Sequence, residues 1–131
     1  MDTVAEEIIG MEKTALDRWG KGDPDGFLEI CAPDVVYFDP YQEVRVDSLP
    51  ALSALYETFR GQVRFDRFEM LNPHVQASDN LAVLTFNFVS YAGDQTSLWN
   101  CTEAYRKQPE GHWWIIQSHW SYTNVFKYRK G

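Results

Sequence analysis

Asp39, Glu103 and His119 are the residues of this chain whose types and positions could carry acid–base chemistry. Asp39 closes the β-branched and aromatic run Val35-Val36-Tyr37-Phe38 and is followed by Pro40, which forces a turn or an extended exit. Desolvation raises the affinity of a carboxylate for protons, so an acid at the mouth of an apolar concavity is a candidate general base for removing a proton from carbon. Asp before Pro is equally familiar as an Asx-turn former, and that role accounts for the pair as well. Glu103 is expected in mid-strand, with Trp99, Cys101 and Tyr105 on its own face. A buried Glu must be hydrogen-bonded, protonated or functional. If both acids face one cavity, the ionised one can act as base while the neutral one donates to a developing oxyanion. The alternative is a strand turned the other way, with Glu103 solvated, since a single bulge reverses the faces.

His119 and Trp120 alternate along the last strand, so only one of them should reach the pocket unless a bulge intervenes. A strand histidine beside aromatics also has a purely structural reading. His74 and His112 fall beside Pro73 and in a turn, facing solvent. Tyr37 shares a strand face with Asp39, and Tyr56 comes from a helix near the expected mouth, so either phenol could act as a hydrogen-bond donor. Phe86, Phe88, Trp99 and Trp120, with Cys101 among them, suit an apolar pocket wall; core filling or a dimer interface would use the same side chains.

These residues need elements to position them. Val4, Ile8, Met11, Ala15 and Trp19 recur at helical steps, which predicts a helix from Val4 to Trp19 ended by Gly20 and Gly22. Asp23-Pro24 opens a short second helix through Cys31, which Pro33 cannot continue. A brief strand follows over Val35 to Phe38. Asp47 or Ser48 caps a third helix, with Pro50 in its first turn and Leu52, Leu55, Tyr56 and Phe59 on one face, stopping at Gly61. Five strands complete the chain: Gln62 to Met70, Pro73 to Ser78, Leu81 to Tyr91, Thr96 to Lys107 and His112 to Tyr122. The order α-α-β-α-β-β-β-β-β predicts an α+β fold in which an antiparallel meander curves around a pocket closed by three N-terminal helices.

Length and charge narrow the function. The chain has 131 residues, one domain's worth over residues 1–131, and 15% aromatic residues, more than a minimal core requires. Its net charge is −7, with the acidity concentrated in the first half. There is no basic stripe for nucleic acid, and the tail Lys127, Arg129, Lys130 is too small to supply one. Cys31 and Cys101 lie far apart and read as free thiols of a reducing compartment; no metal cluster is apparent. The first residues are acidic rather than signal-like, and no apolar run has membrane-spanning length, so a cytoplasmic protein is expected.

The element order, with Trp19-Gly20-Lys21-Gly22-Asp23, Ala32-Pro33-Asp34-Val35-Val36-Tyr37-Phe38-Asp39-Pro40 and Gly111-His112-Trp113-Trp114-Ile115-Ile116-Gln117-Ser118-His119-Trp120-Ser121, resembles the nuclear transport factor 2-like superfamily, nearest its SnoaL-like and ketosteroid isomerase-like branches. The resemblance implies a cone-shaped cavity and a homodimer. Asp39 falls at the position of the ketosteroid isomerase base and Glu103 at that of the protonated acid which donates to the enolate oxygen. Ala15 stands where those isomerases carry an oxyanion tyrosine. Ketosteroid isomerases place the position of Trp120 in the cavity, whereas many SnoaL-like proteins have a histidine at that of His119. The implied activity is isomerisation, cyclisation or dehydration of a small hydrophobic or carbonyl-bearing molecule without a cofactor. The rival readings are a ligand-binding module without turnover and an assembly domain whose exposed sheet face carries Trp113 and Ile115.

Overall fold

The apolar stripe of the first seventeen described residues builds α1 (Thr3–Trp19), which buries Ile8, Ala15 and Leu16. The computed structural model describes residues 3–123; positions 1–2 and 124–131, including the basic run Lys127, Arg129, Lys130, lie outside the described residues. Asp23 accepts the Asp25 N–H at 3.0 Å and opens α2 (Asp25–Leu28). This helix stops well before Cys31, because the Ile30 carbonyl accepts the Ile115 N–H at 2.8 Å and draws the chain into a sheet. Strand β1 (Cys31–Phe38) is therefore longer than its β-branched run, and Pro33, which has no N–H to give, sits in the stretch where pairing is irregular.

β2 (Val46–Asp47) flanks β1 and is too short to leave a sequence signal. Ser48 caps α3 (Leu49–Glu57), which ends short of Gly61 where Thr58 turns back on the Leu55 carbonyl through both N–H, at 3.0 Å, and hydroxyl, at 2.6 Å. The two strands expected over 62–70 and 73–78 are one, β3 (Arg67–Ala77), broken only by a bulge between Leu71 and His74 where Asn72 takes φ 51°. β4 (Leu81–Ala92), β5 (Gln95–Lys107) and β6 (Trp113–Tyr122) complete the meander.

The strands lie in the order β2-β1-β6-β5-β4-β3 in one curved, unclosed sheet, an α+β fold with the three helices packed on its inner face. Neighbours run antiparallel except β1 and β6, which are parallel. The inner face carries Leu84, Phe86 and Phe88 from β4, Cys101 and Tyr105 from β5, and Trp113 and Ile115 from β6. Trp113, 3% exposed, and Ile115, fully buried, are thus core residues, and the assembly face expected of them is not on the outside. Among the described residues no helix is long and apolar enough to cross a membrane.

Two buried carboxyls tie α1 to the sheet. Glu12 and Glu103 are both 0% exposed. Tyr105 donates its hydroxyl to Glu12 Oε1 at 2.9 Å, and Ser118 donates to Glu103 Oε2 at 2.7 Å. Glu12 Oε2 and Glu103 Oε1 have no hydrogen-bond partner among the described residues, and the two carboxyls lie close together, with ligand atoms of Glu12, Cys101 and Glu103 all within 4.8 Å of one another. Burial, then the negative charge of Glu103, holds Glu12 well above the usual carboxylate range; burial also raises Glu103. Glu12 therefore keeps a proton, which leaves one negative charge in the core instead of two.

Both folded values exceed the unfolded one, so the native state binds protons the unfolded chain would release. Stability from this source is complete below the ordinary Glu value of 4.5 and is lost as pH rises towards the folded values. Glu12→Gln, which can still accept from Tyr105 and donate to Glu103, should lose less melting temperature than the parent between about pH 5 and about pH 8; parallel curves would refute the shared proton. Glu12→Ala strands both partners and should cost about 3–5 kcal/mol in denaturant unfolding. A second packing constraint is Gly20, where a Cβ would fall inside the Phe65 ring. Gly20→Ala should cost about 1–3 kcal/mol by the same measurement.

Candidate functional site

A cavity of about 370 Å³ opens on the inner face of the sheet, within the range of small-molecule sites. Its floor is made by buried Leu16, Phe27, Tyr37, Tyr56 and Phe88. Trp19 packs on Tyr56 with ring centroids 4.9 Å apart, and Trp120 meets Phe88 edge-on at 5.6 Å and Trp99 at 6.1 Å. The mouth is more polar, with Gln62, Arg64, Gln95, Ser90 and Ser97 on the lining. Tyr41 and Tyr122, both exposed, hydrogen-bond through their hydroxyls at the rim, and burial followed by Tyr41 pushes the Tyr122 phenol up to about 12.

Asp39 is on this lining and half-buried. Its Oδ2 accepts from the Tyr37 hydroxyl at 2.8 Å, while its Oδ1 accepts the Tyr41 N–H at 2.8 Å and Gln42 Nε2 at 3.3 Å. One oxygen thus closes an Asx turn ahead of Pro40 and the other is presented with Tyr37 to the cavity. The two readings of Asp-Pro are compatible because a carboxylate has two oxygens. Tyr56 packs edge-on against Tyr37, with ring centroids 5.4 Å apart. Burial pushes both phenols well above their usual value, with Asp39 adding to Tyr37 and Tyr37 adding to Tyr56. Both keep their protons and serve as neutral donors.

The remaining sequence-derived candidates fall in three places. Tyr37, Tyr56, Phe88, Trp99 and Trp120 line the cavity together with Asp39. Glu103 and Cys101 lie on the inner face but off the lining, sealed beneath it, and Phe86 supports Trp120 from behind at 5.9 Å. Glu103 is linked to the cavity wall through Ser118 Oγ, which accepts the Trp120 indole N–H at 3.1 Å, and the same indole lies near enough to Glu103 to favour its charged form. His119 is on the outer face, exposed and stacked on Phe38 with centroids 5.2 Å apart. The cause is a bulge in β6: its pairing with β5 skips between Ile115 and Gln117, so Trp113 and Ile115 point inward before it, and Ser118 and Trp120 after it.

Glu12, Cys101 and Glu103 bring ligand atoms within 4.8 Å of one another. The donor set suits a proton better than a cation. A metal would require the Cys101 thiolate, and burial followed by Glu103 pushes that thiol well up. Glu12 escaped the sequence reading although a signal existed: it lies four residues from both Ile8 and Leu16, inside the apolar stripe. Arg64, Gln62 and Gln95 carried no such signal, since they come from a loop, a turn and the first residue of β5, brought to the mouth only by the fold.

The SnoaL-like domain model matches residues 13–116. Among solved structures, a proposed ketosteroid isomerase from Parabacteroides distasonis is 43% identical with a TM-score of 0.86, over 94% of this chain and 90% of that one. A nuclear transport factor 2-like protein of unknown function from Pseudomonas putida is 27% identical with a TM-score of 0.82, over 100% and 95%. The hub of the S. rosetta CaMKII, 18% identical with a TM-score of 0.73 over 90% and 95%, shares the fold alone. No curated protein matches the chain. The matched stretch covers most of the chain, and the chain belongs to the SnoaL-like domain family.

Proposed function

We propose that the cavity binds a small apolar, carbonyl-bearing or aromatic molecule and moves a proton on it without a cofactor, with Asp39 as base. The observation that carries this reading is the Asp39 carboxylate, the acid on a largely aromatic lining, held by the Tyr37 hydroxyl, with the Tyr56 ring packed edge-on against Tyr37. Asp39 Oδ2 would take a proton from a carbon next to a carbonyl, the C–H electron pair passing to the carbonyl oxygen as an enolate. Protonation of Asp39 frees the Tyr37 hydroxyl to turn to that oxygen, with Tyr56 behind it. Asp39 would then return the proton to a second carbon, which isomerises the substrate, or to a leaving hydroxyl, which dehydrates it. In this scheme the donor role that the family resemblance gave to Glu103 passes to the two phenols, because Glu103 has no direct access to the cavity. The name of the 43% identical Parabacteroides protein supports the isomerase variant.

A second reading, a binding module without turnover, is favoured by the Asx turn, which gives Asp39 a structural reason to exist. A homodimer, and the wider assembly that the name of the CaMKII hub evokes, belong to this proposal as well.

Asp39→Asn separates the readings, since Asn can still close the turn but cannot accept a proton. On a panel of enolisable ketones, the enzyme reading expects kcat to fall about 10²- to 10⁴-fold in this variant, with ligand affinity, followed by tryptophan fluorescence, little changed. Tyr37→Phe should lower kcat roughly 10²-fold with a smaller effect on KM. If the parent consumes none of the panel yet binds its members, the binding-module reading stands instead.

A further inference from the structure

The cavity lining contains two charged side chains, Asp39 and Arg64, which reach it from opposite sides of the sheet. Asp39 follows β1 and Arg64 lies just before β3, with β6, β5 and β4 between those strands in the sheet order. That gives the lining an acid side and a basic side.

Arg64 differs from the other described arginines in what it touches. Arg18, Arg45, Arg60 and Arg106 are each bound to a carboxylate, and Arg67 lies over the Tyr91 ring with its guanidinium carbon 3.8 Å from the centroid. Arg64 has neither among the described residues; its Nη1 donates to the Lys21 carbonyl. Its guanidinium also packs on the backbone at Gly22, where a Cβ would come within 3.3 Å of Cζ. The group is therefore anchored at the mouth with N–H donors left over, in a chain of net charge −7 that supplies carboxylates to four other arginines. A fixed guanidinium fork with unused donors matches the plane and charge of a carboxylate. Gln62, Gln95 and Ser97 beside it on the lining add neutral donors. On the acid side, the Asp39 charge disfavours a second anionic group, so a bound anion has one favourable orientation.

On the reading of the cavity as the ligand site, we propose that its ligand is an apolar monocarboxylic acid, with the carboxylate held by Arg64 at the mouth and the flat apolar body on the aromatic floor, so that the opposite end meets Asp39 and Tyr37. The cavity thereby selects both class and direction: a neutral ketone would fit the floor yet lack the anchor, and a dicarboxylate would meet repulsion at Asp39.

The test uses 2-naphthylacetic acid and its primary amide, a neutral probe of nearly the same shape, titrated against the full chain. Trp19, Trp99 and Trp120 line the cavity and report occupancy by their fluorescence. At low salt the acid should bind about tenfold more tightly than the amide or better, the range for hydrogen bonds to a charged group, and added salt should shrink that ratio. Arg64→Gln should bring the ratio close to one, whereas Arg67→Gln, which removes an arginine that is off the lining, should preserve it. Equal binding of acid and amide by the parent would overturn the anion assignment while leaving the cavity reading intact. A ratio that survives Arg64→Gln would overturn the assignment to Arg64. Failure of both probes to bind would overturn this proposal together with the reading on which it rests.

Discussion

One proton shared between Glu12 and Glu103 organises much of the molecule. The pair joins the middle of α1 to β5, reaches Tyr105 on one side and Ser118 of β6 on the other, and ends at the Trp120 indole in the cavity wall. Without the proton, two negative charges would face each other with no solvent; without either carboxyl, the other would be stranded. A hydrophobic pair could hold a helix on a sheet as well, but it would not specify which turn of the helix meets which residue of the strand. The polar pair sets that register, and in doing so it commits the Trp120 N–H to Ser118 and leaves the ring edges and faces to the cavity. The cavity wall is apolar at this point because its hydrogen bond is used underneath.

Much of the fold was legible in the sequence because it depends on short-range periodicity. The stripe from Val4 to Trp19 and the cap at Ser48 are local signals, and so are the long alternating strands of the last third, and these produced the expected elements; the short second helix forms, but with Pro24 rather than Asp23 at its N-cap and with an earlier end. Errors arose where a distant partner overrode a local preference. β1 begins at Cys31 because Ile115 of β6 was there to pair with it, and β2 exists only because β1 offers an edge. Asn72 marks a bulge that reads in one dimension as a break between two strands.

The candidate site was legible to a lesser degree. Asp39 was visible because Asp-Pro at a strand end is a local statement, and Tyr37 followed from alternation two residues earlier. The choice between His119 and Trp120 was not accessible, since one bulged residue in β6 decides it and nothing in Gln117-Ser118-His119 announces the skip. Glu103 was readable as an acid that would need a partner if buried, and it is buried, but the carboxyl beside it, Glu12, lies ninety-one positions earlier and on a helix. Charge at the mouth was the least readable feature, because Arg64 acquires its meaning from what fails to pair with it in three dimensions.

The parallel pairing of β1 with β6 carries a consequence for how the chain reaches this state. Val36 and Gln117 are neighbours in the sheet although more than half the chain separates them, whereas β3 to β6 can zip together hairpin by hairpin. Closing so large a loop is entropically expensive, so the central meander is expected to assemble early and the first strand to dock late. On a ribosome, β1 would emerge with no edge to join and would have to wait for nearly the whole sequence. Tyr37 travels on that late strand and Asp39 directly follows it, so the acid reaches the cavity only when that strand docks, and a partly folded chain would hold the aromatic basin without it.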